Sequence, residues 1–156
     1  AVAQMVMQVA SGLEARRPPV VTGPRDAALR AARTCYGHLA GRLGVARADA
    51  MVTGGHIVLT SDAGLVTGAG VAMFERLGID VVSLSTGSGK NARVLCRPCL
   101  DWSERRPHLA GALGSALCAR GFEENWIRRI DSSRAVAFTP KGRRIFRDTI
   151  GARFDG

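Results

Sequence analysis

Apolar residues recur at helical spacing at the start of the chain. Val2, Met5, Val6, Val9 and Leu13 fall three or four apart, which predicts a helix over residues 1–15 with a single apolar stripe. A short helix of this kind is marginal alone and needs a surface to cover the stripe, so the segment is expected to serve dimerisation. Arg16-Arg17-Pro18-Pro19 breaks the pattern, and residues 16–23 read as a linker. Pro24 and Asp26 suit a first helical turn, and the Ala/Leu-rich stretch Ala27 to Ala50 reads as helical, with breaks near Gly37, Gly41 and Gly44. Thr53-Gly54-Gly55 is a turn and His56 to Thr60 a strand. Ser61 or Asp62 then caps a helix to Leu77, and Ser83 to Asn91 is a Gly/Ser loop. Asp101-Trp102-Ser103-Glu104 has the form of a capping box, which predicts a helix through about Arg120 with Pro107 in its first turns. Trp126 to Arg129 and Ala135 to Thr139 read as strands joined by Asp131-Ser132-Ser133, and Pro140 opens a last helix to about Ile150.

The pattern repeats. His38-Leu39-Ala40-Gly41-Arg42-Leu43-Gly44 returns as His108-Leu109-Ala110-Gly111-Ala112-Leu113-Gly114 with one position changed. Downstream, Leu59-Thr60 with Gly64 is matched to Phe138-Thr139 with Gly142. Each copy then reads helix, strand or hairpin, and a Ser- or Thr-capped helix, the outline of a winged helix. The expected fold is α+β and mainly helical: two winged-helix-like units, about residues 24–82 and 98–152, related by this internal repeat and sharing one core. They make up an expected sensory and assembly domain over residues 24–156.

Composition narrows the class. The chain has 156 residues, 46% hydrophobic and only 5% aromatic, so it supports a packed core built mainly of aliphatic side chains. The net charge of +9 favours an acidic partner such as nucleic acid, but it is spread as +4 over residues 1–96 and +5 over residues 97–156. No run of five like charges forms a basic tail. The first apolar stretch is interrupted by Gln4 and Gln8 and lacks a basic flank, so neither a secretory signal nor a membrane partner is expected. The four cysteines are then expected to be free thiols in a reducing cytoplasm.

Arg33-Thr34-Cys35-Tyr36-Gly37-His38-Leu39-Ala40-Gly41 and Arg97-Pro98-Cys99-Leu100-Asp101-Trp102-Ser103-Glu104-Arg105-Arg106-Pro107-His108-Leu109-Ala110-Gly111 are long, unusual strings. They resemble segments that follow the winged-helix DNA-binding domain in a subgroup of arsenical-repressor-like (ArsR) bacterial regulators. Gly23-Pro24-Arg25-Asp26-Ala27 and Phe138-Thr139-Pro140-Lys141-Gly142 extend the resemblance over nearly the whole chain. It implies that residues 1–15 are the final, dimerising helix of a preceding DNA-binding domain, and that DNA is contacted through that domain. In two places the chain departs from the family. Leu59-Thr60-Ser61-Asp62-Ala63-Gly64 replaces Leu-Thr-Pro-x-Gly, and Gly121 stands where the family has Leu.

Candidate chemistry is sparse. Cys96-Arg97-Pro98-Cys99 is a CxxC that can bite a metal or cycle as a dithiol. Cys35 and His38 lie one helical turn apart and, with Cys96 or Cys99, make the metal candidates Cys35, His38, Cys96 and Cys99 for zinc or a thiophilic metalloid. The competing reading is that the thiols are small core residues and that no cofactor is bound. A broader effector site adds Tyr36, Asp101, Trp102, Glu104 and His108 to Cys35, His38 and Cys99. Here too a purely structural role competes, with the histidines ordering helix junctions and Asp101 capping a helix.

Arg128, Arg129, Arg134, Lys141, Arg143 and Arg144 are the candidates if the second unit itself binds DNA; a solvated basic face is the plainer alternative. Gly87-Ser88-Gly89-Lys90 lacks the first glycine and the hydroxyl of a phosphate loop, and no catalytic constellation stands out, so no enzyme is expected. Function is expected to be effector sensing and homodimerisation within a transcriptional regulator, with a small molecule or metal as effector. The alternatives are a DNA-binding winged helix or a thiol-based redox sensor.

Overall fold

The computed structural model describes residues 27–86, 94–151 and 153–154. The expected dimerisation helix, the linker over residues 16–23 and the Gly87-Ser88-Gly89-Lys90 segment lie outside the described residues. The architecture is α+β, built of helices and small two-stranded antiparallel hairpins. After a short helix α1 (Ala27–Ala31), strands β1 (Arg33–Cys35) and β2 (His38–Ala40) form a hairpin, and helix α2 (Gly41–Thr53) follows directly. A second hairpin, β3 (Ile57–Leu59) and β4 (Gly64–Val66), leads to α3 (Gly68–Arg76) and α4 (Val81–Ser85). The order then returns: hairpin β5 (Arg97–Leu100) and β6 (Pro107–Ala110), helix α5 (Gly111–Glu123), hairpin β7 (Ile127–Arg129) and β8 (Val136–Phe138), and helix α6 (Pro140–Ile145). A wider π-helical turn, Phe146–Ile150, extends α6.

Four expectations need correction. Ala27 to Ala50 is not one helix, because the β1–β2 hairpin interrupts it. Tyr36 and Gly37 both have positive φ, 49° and 86°, and this pair makes the two-residue turn that lets adjacent strands close. Asp101 to Glu104 is not a capping box, because the helix begins only at Gly111. Pro107 opens strand β6 instead, a strand-end position where its missing N–H costs little. Neither Ser61 nor Asp62 caps the third helix. Thr67 does, accepting from the Gly70 N–H at 3.0 Å. Thr139 accepts from the Gly142 N–H at 3.0 Å in the same way. The counterpart of Phe138-Thr139-Pro140-Lys141-Gly142 is therefore Val66-Thr67-Gly68-Ala69-Gly70, not the segment from Leu59 to Gly64.

The two units interlock reciprocally. Helix α2 packs on β6 and α5 packs on β2. The contact depends on Gly44 and Gly114: a Cβ on Gly44 would lie 2.5 Å from the Leu39 carbonyl and 3.4 Å from the His108 Cβ, and a Cβ on Gly114 would lie 2.5 Å from the Leu109 carbonyl and 3.4 Å from the His38 Cβ. Such mutual contacts are those of an approximate twofold axis. Leu39, Leu43, Leu109 and Leu113 are buried around it, in one continuous core that also takes in Met51, Met73 and Phe74. No described helix is long and apolar enough to cross a membrane.

Candidate metal centre

Strand register pairs Cys35 with His38 in the first hairpin and Cys99 with His108 in the second. The interlocking of the units brings these two pairs together. One ligand-capable atom from each of the four residues lies within 4.8 Å of all the others. The His38 and His108 rings are 4.9 Å apart and tilted by 43°. Both histidines are buried and both cysteines half-buried. The thiols line a surface depression whose walls include Tyr36, Leu100, Trp102 and Arg134. Tyr36 is 95% and Trp102 56% exposed, so these two form a rim and not an inner wall.

Asp101, fully buried, organises one side of the cluster. Its carboxylate accepts from His108 Nδ1 at 2.8 Å, from the Gly41 N–H at 2.7 Å, from Ser103 Oγ at 2.8 Å and from the backbone N–H groups of Ser103 and Glu104. It also pairs with the buried Arg33 guanidinium at 3.2 Å. Burial alone would raise this carboxyl. Hydrogen bonds from His108, Gly41 and Ser103, with the Arg33 charge beside them, instead hold it well below the usual carboxylate range. An ionised carboxylate only accepts, so His108 Nδ1 donates to it, and Nε2 is the nitrogen left to bind a metal. That Nε2 is buried without a hydrogen-bond partner. A carboxylate that fixes the tautomer of an imidazole is a recurrent outer partner of metal-binding histidine.

The donor set of two thiols and two imidazoles suits zinc or a softer divalent ion in tetrahedral geometry. An orphaned imidazole nitrogen inside that set fits the same group. Burial raises the Cys99 thiol, reinforced by the neighbouring Cys35; a bound cation would remove the proton outright.

Of the sequence candidates, Cys35, His38, Cys99 and His108 therefore converge. Cys96 does not join them. It is buried beside Gly64 in the core, where burial pushes its thiol up to about 11. The two thiols of the CxxC have different surroundings: Cys96 sits in the bend before β5, in the core, and Cys99 on β5, with the cluster. Asp101 lies behind the cluster, Trp102 on its rim, and Glu104 enters through its backbone N–H alone.

The basic candidates are exposed on β7, in the turn before β8 and on α6. Several are engaged within the chain. Arg129 lies over the Phe122 ring, Arg143 lies over Phe138 and donates to the Phe154 carbonyl, and Lys141 pairs with Glu124. Sequence reasoning missed Arg33 and Ser103. The available signal was the second Arg-x-Cys, Arg97-Pro98-Cys99, which matches Arg33-Thr34-Cys35 at a spacing different from that of the His-Leu-Ala-Gly strings.

No family model matches the chain, and no solved structure matches it. Among curated proteins it is similar to an uncharacterized HTH-type transcriptional regulator, YdfF, of Bacillus subtilis (strain 168), with 40% identity over 125 residues. The match takes in 80% of this chain and 54% of that protein. The chain thus spans about half the length of the curated relative it matches.

Proposed function

We propose that this chain is the effector-sensing and dimerisation module of a bacterial transcriptional regulator, and that its effector is a soft divalent metal ion held by Cys35, His38, Cys99 and His108. The convergence of these four donors within 4.8 Å carries the reading. Each unit supplies one Cys–His pair, so an ion there would tie the two units together and stabilise their packing by mass action. The relative's printed description as an HTH-type regulator supports the regulatory role. In this reading the protein is cytoplasmic and pairs with a second copy through residues 1–15. DNA is contacted by a helix-turn-helix of the longer regulator, of the arsenical-repressor-like kind. The helix, hairpin and Thr-capped helix of each unit are winged-helix-like supports and not the DNA reader, in keeping with the internal engagement of Arg129, Lys141 and Arg143. No catalytic role is part of the proposal.

Cobalt(II) titration tests it. One ion per chain is expected, with tetrahedral d–d bands and thiolate charge-transfer absorption that zinc abolishes. Cys35→Ser and Cys99→Ser should each lose the charge-transfer intensity and the one-to-one stoichiometry. Cys96→Ser and Cys118→Ser should keep both. An octahedral spectrum without thiolate bands, or unchanged binding in the Cys35 and Cys99 variants, would overturn the metal reading.

A further inference from the structure

The two units differ at a second place, on the far side of the matched helices. Residues of α2 and α5 correspond at a constant spacing, so Arg47 matches Leu117 and Met51 matches Gly121. In the first unit the Met51 side chain is fully buried. In the second, Gly121 supplies no side chain, and a cavity of about 40 Å³ remains. Its walls are apolar, formed by Leu39, Leu43, Leu117, Ile127 and Phe146 among others, and Arg47 is the one charged residue lining it.

Arg47 is only 7% exposed. Its Nε and Nη2 are buried without hydrogen-bond partners, and so is Nε1 of Trp126, which lines the same cavity. Burial drives the Arg47 guanidinium down to about 10 despite the neighbouring Cys118. A buried cation facing only apolar groups is costly, and an unsatisfied buried donor calls for a specific explanation. Here two kinds of unsatisfied donor line one space.

We infer that this cavity is a second ligand site, distinct from the thiol–imidazole cluster, for a short-chain aliphatic monocarboxylate. A carboxylate accepts two hydrogen bonds from a guanidinium in a matched fork, and the Trp126 indole N–H is available as a further donor. The aliphatic tail takes the apolar walls. Size sets the class: 40 Å³ is room for roughly three water-sized groups. A chain of about two or three carbons is thus accommodated and an aromatic acid is not. Chloride would satisfy the charge but leave the apolar volume empty.

Calorimetric titration and thermal melting of the whole chain with sodium propionate test this, with sodium chloride and 1-propanol at equal concentrations as controls. Propionate is expected to give saturable heat and a saturable rise in melting temperature that neither control reproduces. Arg47→Leu should weaken binding by roughly ten- to a hundredfold, the worth of a charge-assisted hydrogen bond. Gly121→Met should abolish it by filling the space. Each substitution installs the residue that the matching position already carries, and neither touches the thiol–imidazole cluster, so the cobalt spectrum should be unchanged. Should either variant unfold, nuclear Overhauser contacts from carbon-13 propionate to the Leu117 and Ile127 methyls decide. The inference is overturned if propionate behaves as chloride or as propanol does, if both variants bind as tightly as the parent chain, or if those contacts are absent.

Discussion

The hairpins β1–β2 and β5–β6 carry the same Arg-x-Cys and His-Leu-Ala-Gly residues, yet they close differently. The first turns in two residues, Tyr36 and Gly37; the second takes six, Asp101 to Arg106. The matched arginines consequently have opposite fates. Arg33 is buried against Asp101, Ser103 and the Leu29 carbonyl, whereas Arg97 is exposed. The longer loop supplies a carboxylate that the first hairpin lacks, and that one carboxylate serves both units. It receives the first N–H of α2 from one unit and the His108 imidazole from the other. Two matching hairpins bring equivalent ligands to an axis; the longer loop of one supplies the group that orients one of them.

The largest expected effect comes from removing that group. Asp101→Ala leaves the Arg33 cation buried without its counter-charge, and denaturant unfolding should show a loss of about 3–5 kcal/mol. Arg33→Ala should be similarly damaging, while Arg97→Ala should stay within about 0.5 kcal/mol. Equal effects at Arg33 and Arg97 would erase the asymmetry between the hairpins.

Asp101→Asn is the subtler change. The amide keeps the volume but no longer enforces the Nδ1–H tautomer of His108. Metal affinity, measured by competition with a chromophoric chelator, should fall about 10–100-fold without loss of the tetrahedral cobalt spectrum. Unaltered affinity would reduce Asp101 to a purely structural role.

The smallest effect probes where the units are alike. Thr67 and Thr139 make the same cap, each accepting from the N–H three residues on and donating back to the preceding turn, to the His56 and Trp126 carbonyls. Thr67→Ala and Thr139→Ala should each cost about 1 kcal/mol in unfolding experiments. A marked inequality would show that the second halves of the units are less equivalent than their hydrogen bonds.

The residues alone showed the recurring His-Leu-Ala-Gly string, the two C-terminal strands and the last helix from Pro140, because these rest on local chemistry: a string changed at one position, alternating apolar residues around a polar turn, and a Thr-Pro start. They also singled out Cys35, His38, Cys99 and His108, though with Cys96 placed beside the first three as a ligand. The hairpins β1–β2 and β5–β6 were hidden because strands of three or four residues rich in Ala, Leu and Arg carry no strand periodicity, and Ala27 to Ala50 satisfies helical spacing equally well. The left-handed turn at Tyr36-Gly37 overrides that propensity. Pairing across the axis was hidden too. The six-residue loop shifts the Arg-x-Cys spacing relative to the His-Leu-Ala-Gly spacing, so sequence comparison sees two unrelated matches where the structure has one hairpin. Which cysteine belongs to the cluster was likewise a tertiary decision. The bend before β5 leaves Cys96 in the core while the strand carries Cys99 to Cys35, and only the close approach allowed by Gly44 and Gly114 brings the two Cys–His pairs within reach of a single ion.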